Sequence, residues 1–203
     1  MFYVEQSLGA LLPGLAQDPI MGKLRALKEE YFKWNKTYNI SSIRDEKGFW
    51  EKHIIDSLCL SSYVQKEFAT GTKIFDIGSG GGFPGLVLAI VLQNKICMVE
   101  PVSKKIGFIE HAILKLRLKN AEILKSRYED IKDINDNFLV VSRALGNYKD
   151  LKRHFLEINP DSKLIIMGTK ALAEETGGVT VKEPYSLIQQ AVPALNGHVL
   201  LIL

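Results

Sequence analysis

The stretch DIGSGGGFPG, Asp76 to Gly85, holds five glycines in ten residues and follows the short apolar run in TKIFD. A loop of this kind between a first strand and its helix lets a ligand approach bare backbone, and the helix beyond offers free amides. Two registers coexist. Gly80, Gly82 and Gly85 satisfy GxGxxG, which suits a dinucleotide; Gly78, Gly80 and Gly82 satisfy GxGxG behind the acid Asp76, which suits S-adenosylmethionine. Two features favour the methyl donor. A carboxylate at Asp76 can bind a cationic amino group, directly or through water, and would sit badly beside a pyrophosphate. Phe83 would wall the methionine end rather than cradle phosphate oxygens. Glu100, ending the second apolar run KICMVE, can accept both ribose hydroxyls, but a nicotinamide fold puts an acid there too. A tight turn with no ligand, with Asp76 only answering a helix dipole, remains as a further reading.

More candidates follow down the chain. Tyr128 and Glu129 in SRYED fall after the third strand, where the adenine ring would lie. Ser142, Arg143 and Ala144 end the fourth, where a methyl group would meet its acceptor. An arginine there is costly to bury without a partner, so Arg143 reads as functional.

These residues need a particular scaffold. From Ile20 to about Phe68 the spacing is helical. Leu24, Leu27, Tyr31 and Trp34 make one stripe, and Phe49, Ile54 or Ile55, Leu58 and Leu60 another. This predicts an N-terminal helical lobe over residues 1–69. From residue 70 strand and helix alternate: KIFDI, a helix from Pro84 to Leu92, KICMVE, a helix capped by Ser103 and running to about Leu118, AEILK, NFLVVS, a helix from Tyr148 to Ile158, SKLIIMG, then strands around VTVKEPYS and HVLLIL. Alternation of this sort predicts an α/β domain over residues 70–203. Its mostly parallel, seven-stranded sheet is flanked by helices and ends in a hairpin, the Rossmann-like class I methyltransferase variant.

The 203 residues include 46% apolar and 24% charged positions, enough for one α/β domain and a modest extension. No run approaches the roughly 20 apolar residues of a membrane span, and the first residues lack a basic secretory start. Cys59 and Cys97 are too far apart for a CxxC motif and read as packing residues, so a reducing cytoplasm is expected. His53, His111, His154 and His198 show no ligand spacing, so no metal is expected. Net charge is only +3, but from Ser103 to Tyr128 seven cations face two acids, and Arg143, Lys149, Lys152 and Arg153 follow. Such a field either attracts a polyanion or is a set of ordinary solvated helix faces.

Over nearly its whole length the sequence resembles the RsmG (GidB) family of bacterial small-subunit ribosomal RNA guanine-N7 methyltransferases. The matching pieces are WNKTYNIS, HIIDSL, DIGSGGGFPGLVLAI, EPVSKKIGFIE, SRYEDI, SRALGNYKDL and VPALNG. The first two lie outside the generic donor-binding fold and are the most specific. The resemblance implies a donor pocket of Gly78, Phe83, Glu100, Tyr128, Glu129 and Arg143. It also implies methylation at position 527, in the 530 loop of 16S ribosomal RNA, within the 30S subunit or an assembly intermediate. The sequence departs from the family at Met167, where a lysine is usual, with Lys170 three residues on to reach back. It departs again in the short ending NGHVLLIL, which keeps only His198 of an arginine–histidine pair.

Guanine N7 carries an available lone pair, and a sulfonium donor is already activated. The enzyme's task is then alignment, and no general base is needed. Arg143 is expected to orient the donor or hold a phosphate or the guanine O6 edge. Asn39 and Ser41 line the acceptor side. His53 and Asp56, three apart, form a polar pair fixing the lobe against the donor loop. Trp34, Tyr38 or Phe49 either stack on RNA beside Lys33, Lys36, Lys47 and Lys52 or belong to the lobe's core. A monomer is expected. The alternatives are a methyltransferase acting on another RNA or a small metabolite, a nicotinamide oxidoreductase, and a non-catalytic RNA-binding module with a decayed donor pocket.

Overall fold

The computed structural model describes residues 2–13, 18–134, 137–143, 146–176, 179–188 and 190–203. Residues 144 and 145 of the SRAL motif lie outside them. Before the first strand come helices α1 (Phe2–Leu11), α2 (Asp18–Tyr38) and the single turn α3 (Glu46–Gly48). A π-helical stretch, Phe49–Ile55, then runs into α4 (Asp56–Glu67). There follow β1 (Lys73–Ile77), α5 (Gly85–Val91), β2 (Ile96–Val99), α6 (Ser103–Leu116), β3 (Ala121–Leu124), β4 (Phe138–Arg143) and α7 (Tyr148–Ile158). The chain closes with β5 (Lys163–Thr169), α8 (Lys170–Thr176), β6 (Val179–Val181), α9 (Tyr185–Ile188) and β7 (His198–Ile202).

The strands form one sheet in the order β3-β2-β1-β4-β5-β7-β6. The first five are parallel, and β7 enters antiparallel between β5 and β6. Helices cover both faces, so the central strands read as unbroken apolar runs. Ile74, Met98, Leu139 and Ile165 face one apolar cluster that also takes in Leu24, Leu27, Tyr31, Phe49 and Leu58 from the helices before β1. Phe75, Cys97, Val140 and Ile166 face a second cluster with Leu151 and Phe155 of α7. Among the described residues, no helix is long and apolar enough to cross a membrane.

Four local expectations are corrected. The helical period across Gly48 to Tyr63 is broken by the π-helical turns. The Asp56 amide reaches back five residues to the Glu51 carbonyl, and the widened turns bury both Phe49 and His53. Ser103 is the first residue of α6 rather than its cap: Val102 precedes it, with no side-chain cap bond. That helix stops at Leu116 because Arg117 turns left-handed (φ 53°). Of VTVKEPYS, only Val179–Val181 is strand; Pro184 ends the ladder and Tyr185–Ile188 is a helical turn.

Candidate active site

The glycine loop leaves β1 at its C-terminal end. The Gly78 and Ser79 amides donate to the Val99 carbonyl of β2, and the Ser79 carbonyl accepts from Gly82 and Phe83. Gly78, Gly80 and Gly82 take φ of 69°, 59° and 81°, which L side chains rarely adopt, so the GxGxG register sets the shape of the loop. Gly85 serves a different need: a Cβ there would stand 2.4 Å from Met98 Cγ and 2.7 Å from Asp76 Oδ2. The third glycine of GxGxxG is therefore a packing position against β2. At Gly80 the space is open; a Cβ would meet only the Gly78 carbonyl oxygen, at 3.9 Å.

Asp76 is fully buried. Its Oδ2 accepts from the Gly85 amide at 2.8 Å, and among the described residues its Oδ1 has no partner. Burial pushes the carboxyl up to about 7, with the Gly85 bond and the Arg143 charge opposing. One oxygen thus answers the start of α5, and the other is left over. The Ser79 hydroxyl is likewise buried without a partner. Buried polar atoms without a partner ask for an explanation, and a bound polar group is one. Glu100, also buried, accepts from the Gly80 amide (Oε2, 2.9 Å) and the Val102 amide (Oε1, 2.9 Å), with Lys105 Nζ 4.0 Å away. Its carboxylate is oriented by backbone and retains lone pairs for further donors. Beyond the loop, a cleft of about 320 Å³ opens at the ends of β1–β3. Ile77, Gly78, Val99, Tyr128 and Glu129 are among its walls. Apolar floor, open glycine, orphan carboxylate oxygen and oriented acid together fit S-adenosylmethionine.

Arg143 ends β4 and turns to the helices before β1. Its Nη1 donates to the Lys52 carbonyl (2.6 Å) and to Asp56 Oδ2 (3.2 Å), and its Nη2 donates to His53 Nδ1 (3.1 Å). An arginine only donates, so Nδ1 is the acceptor of that imidazole. Burial, then the Arg143 charge, hold the His53 pKa down at about 3. The ring is therefore neutral with its proton on Nε2, which donates to Ser41 Oγ at 3.3 Å. His53 also stacks on Phe83 of the glycine loop, centroids 4.2 Å apart and planes 8° from parallel.

Asp56 holds the other side of this centre. Burial alone would raise its pKa, but hydrogen bonds from His198 and Tyr185 and the charge of Arg143 outweigh that and hold it below the ordinary value. Its Oδ1 accepts from the Tyr185 hydroxyl (2.8 Å) and from His198 Nδ1 (3.3 Å). Ser41 is set by Asn35, whose Oδ1 accepts the Ser41 amide and whose Nδ2 donates to the Ile43 carbonyl. Thus the WNKTYNIS and HIIDS motifs, β4 and the C-terminal strand meet at one guanidinium. Among the described residues three of its five N–H donors are engaged, which leaves two without a described partner.

The predicted residues distribute unevenly. Asp76, Gly78, Gly80, Gly82 and Glu100 build the loop, and Tyr128 and Glu129 line the cleft. The Phe83 ring is buried among Tyr31, Phe49 and His53. Asn39 is exposed in a left-handed turn (φ 51°), its Oδ1 accepting from Arg44 Nη2 at 2.7 Å. Among the described residues, no hydrogen bond joins His53 directly to Asp56; each meets Arg143 instead. Phe49 is core, Trp34 is half-buried against Phe108 and His111, and Tyr38 is exposed. Met167 stands beside Arg143 in register and points into the apolar cluster. Sequence reasoning missed Tyr185 and the hub role of Asp56; no local spacing links residues 129 positions apart. Both cysteines are buried, and burial pushes the Cys97 thiol up to about 12, consistent with packing roles.

Comparison with known proteins agrees with this geometry. Residues 20–198 match the family model described as GidB, rRNA small subunit methyltransferase G. The chain is 35% identical over 170 residues to the ribosomal RNA small subunit methyltransferase G of Haemophilus influenzae (strain PittEE), covering 82% of this chain and 81% of that one. It is 31% identical over 198 residues to the protein of the same name from Polynucleobacter asymbioticus, covering 94% and 88%. Among solved structures, the fold is similar to a mutant of MtNAS in complex with S-adenosylmethionine (TM-score 0.57, 15% identity, 99% of this chain and 74% of that one). It is also similar to a SAM-dependent methyltransferase from Aquifex aeolicus (TM-score 0.51, 19% identity, 81% and 96%). The sheet order, the glycine loop and these matches lead to one assignment: the chain belongs to the GidB family, rRNA small subunit methyltransferase G.

Proposed function

We propose that this protein transfers a methyl group from S-adenosylmethionine to N7 of guanine 527 in the 530 loop of 16S ribosomal RNA. One observation carries the reading. The side chains of the most family-specific motifs converge, through Arg143, on the same sheet edge as the donor cleft. Bound in that cleft, S-adenosylmethionine supplies an already activated methyl group. Asp76 and Ser79 receive the polar end of the donor, Glu100 its ribose, and Tyr128 and Glu129 its adenine. Guanine N7 has no proton to lose, so neutral His53 is not asked to act as a base; it keeps Arg143 and Phe83 in place. Arg143, its charge balanced by Asp56, holds the acceptor through its two remaining N–H donors, with the guanine O6 edge or a phosphate as partner. Asn39 borders the acceptor side. The exposed cations Lys104, Lys125, Arg127, Lys149 and Arg153 attract the RNA backbone. Residues 1–69 act as an acceptor-side lobe and residues 70–203 as the donor-binding domain, in a monomer working in the cytoplasm.

The reading is tested by binding and transfer together. S-adenosylhomocysteine binds and NAD does not; label from methyl-labelled S-adenosylmethionine appears in 30S subunits taken from cells lacking this methylation. Transfer only to small metabolites, or binding of NAD in preference, would overturn it.

A further inference from the structure

Beyond Arg143 the same sheet edge carries a second, smaller concavity of about 80 Å³. Its lining includes Lys170, Lys182, Tyr185, Ser186, Asn196 and His198. Topology gathers its cations. Lys170 follows the C-terminal end of β5, and Lys182 follows β6, which runs the same way because both are antiparallel to β7. His198 opens β7 directly opposite Thr169. Lys170 and Lys182 are exposed, and among the described residues neither ammonium has an ion-pair or hydrogen-bond partner. The floor is fixed: the Tyr185 hydroxyl and His198 Nδ1 both donate to Asp56, whose other oxygen accepts from Arg143. The notch is thus bolted to the guanidinium at which the acceptor is presented.

We propose that this notch binds one backbone phosphate of the RNA, adjacent to the nucleotide held at Arg143. The inference rests on the RNA-substrate reading above. Its volume is far below the roughly 300 Å³ at which small-molecule pockets begin, yet it admits a tetrahedral anion. Two unpaired ammonium groups, with the Ser186 hydroxyl and the Asn196 amide as neutral donors, suit phosphodiester oxygens. They carry no base-reading geometry, so the contact positions the strand and does not read sequence. The carboxylate beneath does not repel the anion as a bare charge, because Arg143 neutralises it from the other side.

The test uses the full chain and the variants Lys170→Met, Lys182→Met and their double. RNA affinity is measured against salt concentration, together with S-adenosylhomocysteine affinity and thermal stability. Each phosphate neutralised contributes about 0.7 to the slope of log affinity against log salt on single-stranded RNA, and the notch holds one. The double variant is expected to lose about 0.7 of slope and bind RNA at least several-fold more weakly at low salt, with S-adenosylhomocysteine affinity and melting unchanged. Titration with inorganic phosphate, followed by the His198 ring resonances, gives a second readout: they shift in wild type and not in the double variant. Methylation of 30S particles by the wild type tests the substrate reading separately. With methylation intact, an unchanged salt slope in the double variant overturns the notch alone. Without RNA binding or methylation the substrate reading falls, and the phosphate titration then decides whether the notch is an anion site. Unshifted resonances, or shifts equal in the double variant, overturn it.

Discussion

Asp76→Asn separates what the site does for the ligand from what it costs the fold. The carboxyl of Asp76 is raised by burial to about 7, against an ordinary value of 3.8. The folded protein therefore holds that proton more tightly than the unfolded chain. The stability this gives is complete below pH 3.8, declines as the pH rises towards 7, and is gone above it. A difference of about three pH units corresponds to roughly 4 kcal/mol, of which about 2–3 kcal/mol fall between pH 5 and pH 8. Asparagine keeps an oxygen for the Gly85 amide and cannot ionise. Measured by urea unfolding, Asp76→Asn should gain about 2–3 kcal/mol on wild type between pH 5 and pH 8. Affinity moves the other way. The cationic amino group of S-adenosylhomocysteine loses a charge-assisted bond worth about 1.5–3 kcal/mol, so binding weakens by at least about 10-fold. Bound S-adenosylhomocysteine should also flatten the wild-type pH profile. Parallel profiles for variant and wild type would refute the unpaired buried acid, and equal affinity for S-adenosylhomocysteine would refute its role toward the amino group.

Other perturbations follow the same geometry. Gly85→Ala drives a Cβ to 2.4 Å from Met98 Cγ and should cost about 1–3 kcal/mol in unfolding; Gly80→Ala meets no clash, but its left-handed φ of 59° should cost about 1–2 kcal/mol and weaken S-adenosylmethionine binding. Tyr185→Phe removes a hydrogen bond to the buried Asp56 carboxylate and should cost about 1.5–3 kcal/mol, with transfer falling as Arg143 loosens. His53 has its pKa lowered to about 3, so the neutral ring favours folding above pH 6.5, and that stability is lost as the pH falls toward 3. His53→Phe, which keeps a ring against Phe83, should be less sensitive to acid in unfolding yet slow in transfer, and the wild-type rate should show no titration near 6.5 assignable to His53.

Much of this molecule was legible because local periodicity and burial agree. β1, β4 and α7 fall where their patterns place them, since a strand covered on both faces and a strongly amphipathic helix each leave an unmistakable spacing. The π-helical turns at Phe49–Ile55 were invisible, because their wider repeat mimics an irregular α-helix in sequence. At Tyr185 the strand-like run is ended locally by Pro184, which cannot donate to a ladder, whereas the contact of Tyr185 with Asp56 leaves no local signal. At the site, the glycine loop and Glu100 were readable as motif chemistry. The assignment of Phe83 to a donor wall missed that its ring carries the contact to His53. The Asp56 hub needed the fold, since its partners come from α9, β7 and β4.

The most direct measurement is the position of the transferred methyl group. Unmethylated 30S subunits are incubated with the protein and methyl-labelled S-adenosylmethionine, and the 16S RNA is digested and mapped by mass spectrometry. The account predicts 7-methylguanosine at position 527, abolished in Arg143→Met. Label on another nucleotide, or label at 527 undiminished by Arg143→Met, would contradict it.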